Sequence, residues 1–390
     1  VTEAPFSAYQ NEIYLNGALG TPPEFPIDVA TLEAAAQERF SPEAFGYVAG
    51  SAGTESTARA NRAAFERWRI VPRFLARDVS VRDLSTTVLG TPMPAPVVLG
   101  PVGVQGIVHP DAELAVARAA SGLGVPLALS TVSSYSLEEV ATACGESPRW
   151  FQLYWPRDRD VGASLLSRAN AAGFSALLLT LDTFILAWRP RDLRSGYLPF
   201  LSRLGLANYE SDPAFLAGLS AAPDDDPTAS VLHWQSMFGD PRNTWADLSW
   251  VREHWRGPIA LKGVLHPDDA RRAVDAGMDA ILVSNHGGRQ IDGSIASLDA
   301  LPAVVDAVDG RAEVLFDSGV RTGSDVIKAL ALGAKAVLIG RPYIYGLGLG
   351  GEAGVRHVIR SLLAELDLSM ALSGCASLAD VGPELLTHIP

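Results

Sequence analysis

The sequence predicts an α/β protein built as a (β/α)8 TIM barrel. Three observations carry this: eight short apolar runs, amphipathic stretches between them, and polar residues at the C-terminal ends of seven runs. The runs lie at 96–100, 126–130, 150–154, 176–181, 258–262, 280–284, 313–317 and 335–340. Each reads as a strand covered on both faces, since none alternates apolar with polar residues over its length. Helices are expected at 111–121, 268–276 and 323–332, opening on Pro-Asp or Gly-Ser as helix starts often do. A doubly wound open sheet is the alternative. It calls for GxGxxG after the first strand, and GPVGVQG at 100–106 lacks that spacing.

Two parts fall outside the eight units of what is otherwise one barrel domain over 1–390. Residues 1–90 form an N-terminal extension with helical stretches at 31–39 and 55–69. Residues 192–246, rich in Pro, Gly and Asp, separate the fourth and fifth strands by far more than an ordinary connection. This insertion is either an ordered cap over the C-terminal mouth of the barrel or a disordered spacer.

Composition narrows the function. With 48% hydrophobic and 19% charged residues over 390 positions, the chain can bury a large core. A net charge of -13 argues against nucleic-acid or anionic-membrane partners. Cys144 and Cys375 are far apart and have no CxxC or His-rich companion, so neither a disulfide framework nor a metal site is expected. The first residues show no basic region before an apolar stretch, and no segment reaches the roughly 18–20 apolar residues of a membrane span. A soluble, cytoplasmic protein is the expectation.

In a barrel the C-terminal strand ends converge on one face. Here they carry Ser130-Thr131, Gln152 and Tyr154, Thr180-Leu181-Asp182, Lys262, Ser284-Asn285-His286, Asp317-Ser318-Gly319 and Gly340-Arg341. The last two ends, with Arg321 nearby, set small residues, backbone N–H groups and arginines beside helix starts, an arrangement that holds a phosphate. Lys262 ends an apolar strand, which is costly unless it faces an anion or a polarised carbonyl; a Schiff-base lysine is the rival reading. His286 can take a hydroxyl proton with Asp182 orienting it, and Arg289 and Arg189 can grip a carboxylate. Tyr47 and Tyr154 could add phenolic hydrogen bonds. Such a set suits a small 2-hydroxy acid. None of these side chains accepts two electrons, so a phosphate-bearing cofactor must do so.

SNHGGRQ at 284–290, DSGVRTGSDVIKALALGA at 317–334, IGRP at 339–342, FQLY at 151–154 and TLDT at 180–183 resemble the FMN-dependent 2-hydroxy acid oxidising enzymes. NEIY at 11–14, WRPRD at 188–192 and the long fourth connection are most similar to the lactate 2-monooxygenase branch of that family. The resemblance implies a (β/α)8 barrel, FMN as cofactor, a 2-hydroxy acid and oxygen as substrates, and a homotetramer or homo-octamer. It makes His286 the base paired with Asp182, puts Arg289, Arg189 and Tyr47 on the substrate carboxylate, and sets Tyr154 near the substrate hydroxyl. It places Lys262 beside flavin N1 and the C2 carbonyl, which displaces the Schiff-base reading. Pro101, Val102, Gly103, Ser130, Gln152, Thr180 and Ser284 would hold the ring, and Asp317, Gly319, Arg321, Gly340 and Arg341 the ribityl chain and phosphate. Where glycolate-type members carry tryptophan and the lactate monooxygenase branch leucine, this chain has Val132, leaving room for an acid larger than lactate.

Overall fold

The structure, a computed structural model, describes residues 4–389. Each of the eight apolar runs forms a parallel strand: Val97–Leu99, Leu127–Ser130, Arg149–Tyr154, Leu177–Thr180, Ile259–Val264, Ala280–Val283, Glu313–Phe316 and Ala336–Ile339. They close into a barrel, because Val337–Ile339 of the eighth strand pairs with Val97–Leu99 of the first. Closure removes the open-sheet alternative.

The runs are apolar throughout because successive residues feed two different cores. Val98, Ala128, Trp150, Leu178, Ala260, Leu282, Leu315 and Leu338 belong to one buried cluster inside the barrel. Their neighbours, among them Leu99, Leu129, Phe151 and Leu179, belong to the larger cluster under the helices. A hairpin of Thr86–Val88 and Thr91–Met93 adds Val88, Leu89 and Met93 to the inner cluster. Thr91 Oγ1 accepts the Trp150 indole N–H at 3.0 Å, so the hairpin plugs the N-terminal end of the barrel.

The helices expected at 111–121, 268–276 and 323–332 are Ala112–Ser121, Pro267–Asp275 and Gly323–Ala331. That expected at 31–39 is Val29–Arg39, capped by Asp28, whose carboxylate accepts the Thr31 N–H at 2.8 Å. The stretch at 55–69 needs correction: the helix is Ser56–Glu66. Glu55 takes a left-handed φ of 63°, and the Ser56 N–H donates to Asp292 at 2.7 Å, which fixes the start. At the other end Trp68–Ile70 leaves the helix to pair antiparallel with Leu386–His388.

The 192–246 insertion is ordered, with helices at Ala207–Glu210, Pro213–Ala217 and Pro227–Met237. Asn208, fully buried, fastens it to the barrel top by donating to the Thr131 carbonyl at 3.0 Å and accepting the Leu137 N–H at 2.7 Å. Cys144 and Cys375 are buried free thiols. Among the described residues no helix is long and apolar enough to cross a membrane.

Candidate active site

Side-chain parity builds the site. Two residues beyond the inner apolar layer, the same strands present Gly100, Ser130, Gln152, Thr180, Lys262, Ser284, Asp317 and Gly340. The polar layer therefore sits directly on the apolar plug, at the C-terminal mouth. Ser130, Gln152 and Thr180, all buried, are joined across three strands: Ser130 Oγ donates to Gln152 Oε1 at 3.1 Å, and Gln152 Nε2 donates to Thr180 Oγ1 at 2.9 Å.

Lys262 is the charge at the centre of this layer. Its ammonium donates to Ser284 Oγ at 2.8 Å and lies 3.3 Å from Asp317 and 3.8 Å from Asp182. Burial alone would lower its pKa, but the two carboxylates raise it, so it stays charged. Asp182 in turn accepts from His286 Nδ1 at 2.8 Å, and Thr183 Oγ1 lies 3.0 Å from the same nitrogen. Despite burial, the His286 and Lys262 charges hold the Asp182 carboxyl well below the usual carboxylate range. Burial lowers the His286 pKa, with Asp182 opposing and Lys262 assisting. The imidazole is thus neutral near pH 7, oriented through Nδ1, and faces the cavity.

The turn that presents it is made by three consecutive left-handed residues, His286, Gly287 and Gly288, with φ of 58°, 65° and 77°. A Cβ on Gly287 would meet Arg341 Nη1 at 2.7 Å, and one on Gly288 would meet the Ala58 backbone nitrogen at 2.7 Å. The turn sends Arg289 under Tyr47, with its guanidinium 5.1 Å from the ring centroid and Nη1 donating to the Tyr47 and Gly50 carbonyls at 2.6 and 2.7 Å. Arg189 donates through Nε to the Arg289 carbonyl at 3.1 Å and through Nη2 to Gln290 at 2.9 Å. Burial and the neighbouring Arg189 charge push Arg289 down to about 9. No carboxylate pairs with Arg189, Arg289, Arg321 or Arg341 within 4.0 Å among the described residues. Arg189 is buried and the other three are half-buried, so these cations favour an anion in the cavity beside them.

One cavity is lined by Tyr47, Pro101, Val102, Gly103, Val132, Tyr154, Arg189, Lys262, His286, Arg289, Asp317, Gly319, Arg321, Gly340 and Arg341. Ser130, Gln152, Thr180, Ser284 and Asp182 do not line it; they stand behind its wall and hold the groups that do. Arg341, expected at a phosphate, lines the cavity and also braces its wall. Its guanidinium donates to the Val48, Gly287 and Gly50 carbonyls, each at 3.0 Å, and to Ser51 Oγ at 2.9 Å, tying the end of the eighth strand to the His286 turn. Among the described residues, Arg321 makes one side-chain hydrogen bond, to its own neighbour's carbonyl, Val320 O, at 2.9 Å.

Sequence reasoning missed Phe200 and Phe238, aromatic wall residues from the insertion, and Leu186 after the fourth strand. It also missed Ser318, whose hydroxyl accepts the Gly287 N–H at 3.0 Å and donates to Asp317 at 2.7 Å. Ser318 lay within a motif already singled out. Phe200 and Phe238 sit in a segment without periodicity and carried no such signal.

Comparison with known proteins decides the family: residues 36–388 match the model for FMN-dependent dehydrogenases. The chain belongs to that family. It is 47% identical over 388 residues to the FMN-dependent alpha-hydroxy acid dehydrogenase qulF of Penicillium citrinum, covering 98% of this chain and 96% of that one. It is 46% identical over 354 residues to an L-lactate oxidase of Lysinibacillus sphaericus, covering 91% of both. A crystal structure of mandelate oxidase with (S)-4-hydroxymandelic acid superposes with a TM-score of 0.82 at 40% identity, over 93% of this chain and 98% of that one. The chain is accordingly an FMN-dependent oxidoreductase acting on 2-hydroxy acids. The residues present fit that cofactor: Arg321, half-buried in the cavity wall and without an acidic partner within 4.0 Å among the described residues, is pushed down to about 10 by desolvation and by the Arg341 charge, the state that a phosphate would relieve.

Proposed function

We propose that the protein oxidises an L-2-hydroxy acid with a side chain larger than methyl, passing the electrons to oxygen and releasing the 2-oxo acid and hydrogen peroxide. The observation that carries the substrate size is the apolar part of the cavity wall. Val132, Leu186, Phe200 and Phe238 make it apolar, and Phe238 packs on Tyr154 with ring centroids 5.4 Å apart. The named activity of the mandelate oxidase neighbour supports the same size class.

FMN supplies the two-electron acceptor at C2 of the substrate. The phosphate end falls to Arg321 and Arg341 with Gly319 and Gly340, Arg341 also bracing the turn beside it. Pro101–Gly103 fall on the ring side, backed by Ser130, Gln152 and Thr180, with Lys262 supplying positive charge there. Arg289 and Arg189 hold the substrate carboxylate with the donors left over from their backbone bonds, so the hydroxyl faces His286. His286 takes the hydroxyl proton, and Asp182, kept ionised, steadies the imidazolium. Burial raises the Tyr154 phenol well above its ordinary pKa, so it remains an O–H donor to the substrate oxygen. The insertion caps the cavity and excludes water while the acid is bound.

The ordered insertion also favours a second reading, lactate 2-monooxygenase chemistry. There the 2-oxo acid is retained long enough to be decarboxylated, and lactate plus oxygen gives acetate, carbon dioxide and water. Both readings are separated by ranking anaerobic flavin-reduction rates for L-lactate, 2-hydroxy-4-methylpentanoate and mandelate, then assaying peroxide in air. The larger acids should win by about tenfold or more, since each methylene is worth roughly 1–3 kcal/mol, and peroxide should match the acid consumed. Lactate as the fastest substrate, with acetate in place of peroxide, would establish the monooxygenase instead.

A further inference from the structure

Glu113 lies outside the chemistry above, on the first turn of helix Ala112–Ser121, and is fully buried. One carboxyl oxygen accepts the Gln105 backbone N–H at 3.3 Å, while Oε2 has no partner. The Gln105 side chain is in a matching position. Its Nε2 donates to the Val102 carbonyl at 2.9 Å, but its buried Oε1 has no donor. The Gln105 peptide N–H and the Glu113 carboxyl are joined by one hydrogen bond, each of the two side chains keeps one buried acceptor without a partner, and a proton on Glu113 would turn Oε2 from an unmet acceptor into a donor. Gln105 and Val102 both line the cavity, and the loop is strained there, with Val104 at φ 58°.

The geometry points to Glu113 as a positioning residue: in its uncharged form it holds the Gln105 peptide, and through the Gln105 side-chain bond to Val102 O it sets the Pro101–Gly103 peptide against the flavin ring. The inference rests on the reading that this peptide faces the cofactor. Burial pushes the Glu113 carboxyl up to about 7, with only the backbone and Ser134 opposing. The groups that face it are Gln105 from its own loop, Ser134 from the loop after the second strand, and the Tyr343 phenol from the C-terminal helix, which donates to the Gly100 carbonyl at 2.7 Å. Arg118 of its own helix is engaged with Glu352 and Asp111 and Glu138 with Arg168, while Arg356 of the C-terminal helix lies against Gly122 at the far end of the helix from Glu113. His109 Nδ1 accepts the Asp111 N–H. Among the described residues no cation faces Glu113, so nothing there compensates a negative charge.

The test is a pH titration of the flavin visible band in the FMN-loaded protein without substrate, together with the FMN dissociation constant of the apoprotein. The parent should show a spectral transition centred near pH 7. Glu113→Gln, which keeps the shape and removes the proton, should hold the low-pH spectrum throughout and bind FMN within about threefold of the parent. Glu113→Ala should weaken FMN binding by about tenfold or more. A Glu113→Gln protein that titrates like its parent, or a parent with no transition between pH 5.5 and 8.5, overturns the assignment. An apoprotein that binds no FMN would instead overturn the reading of the cofactor site. Because the group's pKa is raised on folding, its stability contribution is complete below the unfolded value and is lost as pH rises through about 7. Glu113→Gln should therefore gain stability relative to the parent over that interval, a change that simple loss of packing would not give.

Discussion

His286→Ala should keep FMN and lose flavin reduction by about a thousandfold or more, a barrier increase of roughly 4 kcal/mol. The residue touches none of the groups placed at the phosphate end, so cofactor loading should survive. What disappears is the one neutral base in the cavity, oriented by Asp182 at 2.8 Å and held in a left-handed turn that an alanine can still adopt at some strain. The pH profile gives an independent check on the parent. Its His286 pKa is lowered by burial, so the proton acceptor is present above that value and is lost as pH falls through it. The acid limb of kcat/KM should consequently lie below the ordinary histidine value of about 6.5. Stopped-flow reduction of the two proteins at matched flavin content, with the profile from pH 5 to 8, measures both effects.

Lys262→Met should be the most damaging change to the fold at this site. Methionine matches the length of the stem but removes the charge between Asp182 and Asp317, leaving two carboxylates in a nearly closed layer where the lysine is 4% exposed. Removing one partner from a buried ionic cluster typically costs about 3–5 kcal/mol. Function should suffer separately. Lys262 lowers the His286 pKa and helps hold Asp182 ionised, so without it the acid limb should move upward. The rate of flavin reduction should fall by about a hundredfold or more even in the folded fraction. Thermal unfolding and the pH profile of the variant test the two parts independently. An unchanged melting temperature would mean the carboxylates do not need this cation.

The barrel was legible in the sequence because its strands are buried on both faces, which leaves continuous apolar runs that no surface element shows. The polar strand ends were legible for the same reason, since Lys262 or Gln152 stands out against such a background. Features that depend on a distant partner were not. Trp68–Ile70 looks like the tail of a helix until Leu386–His388 arrives beside it. The hairpin at 86–93 has strands of three residues, too short to carry a period. Arg341 reads as a phosphate ligand from its place after Gly340, but nothing nearby in the sequence shows that it also donates to Val48, Gly50 and Ser51, about 290 residues earlier in the chain. The substrate wall was half visible: Val132 follows a strand end, whereas Phe200 and Phe238 depend on how the insertion folds back over it.

The central claim is that His286 removes the hydroxyl proton of a 2-hydroxy acid clamped by Arg289 and Arg189 while FMN takes two electrons. Anaerobic mixing of the FMN-loaded protein with L-2-hydroxy-4-methylpentanoate, and in parallel with its 2-methoxy analogue, tests it most directly. The hydroxy acid should bleach the flavin and yield one 2-oxo acid per FMN, whereas the methoxy acid, which has no proton to give His286, should bind without bleaching. Equal bleaching by both acids, or none by any 2-hydroxy acid, would contradict it.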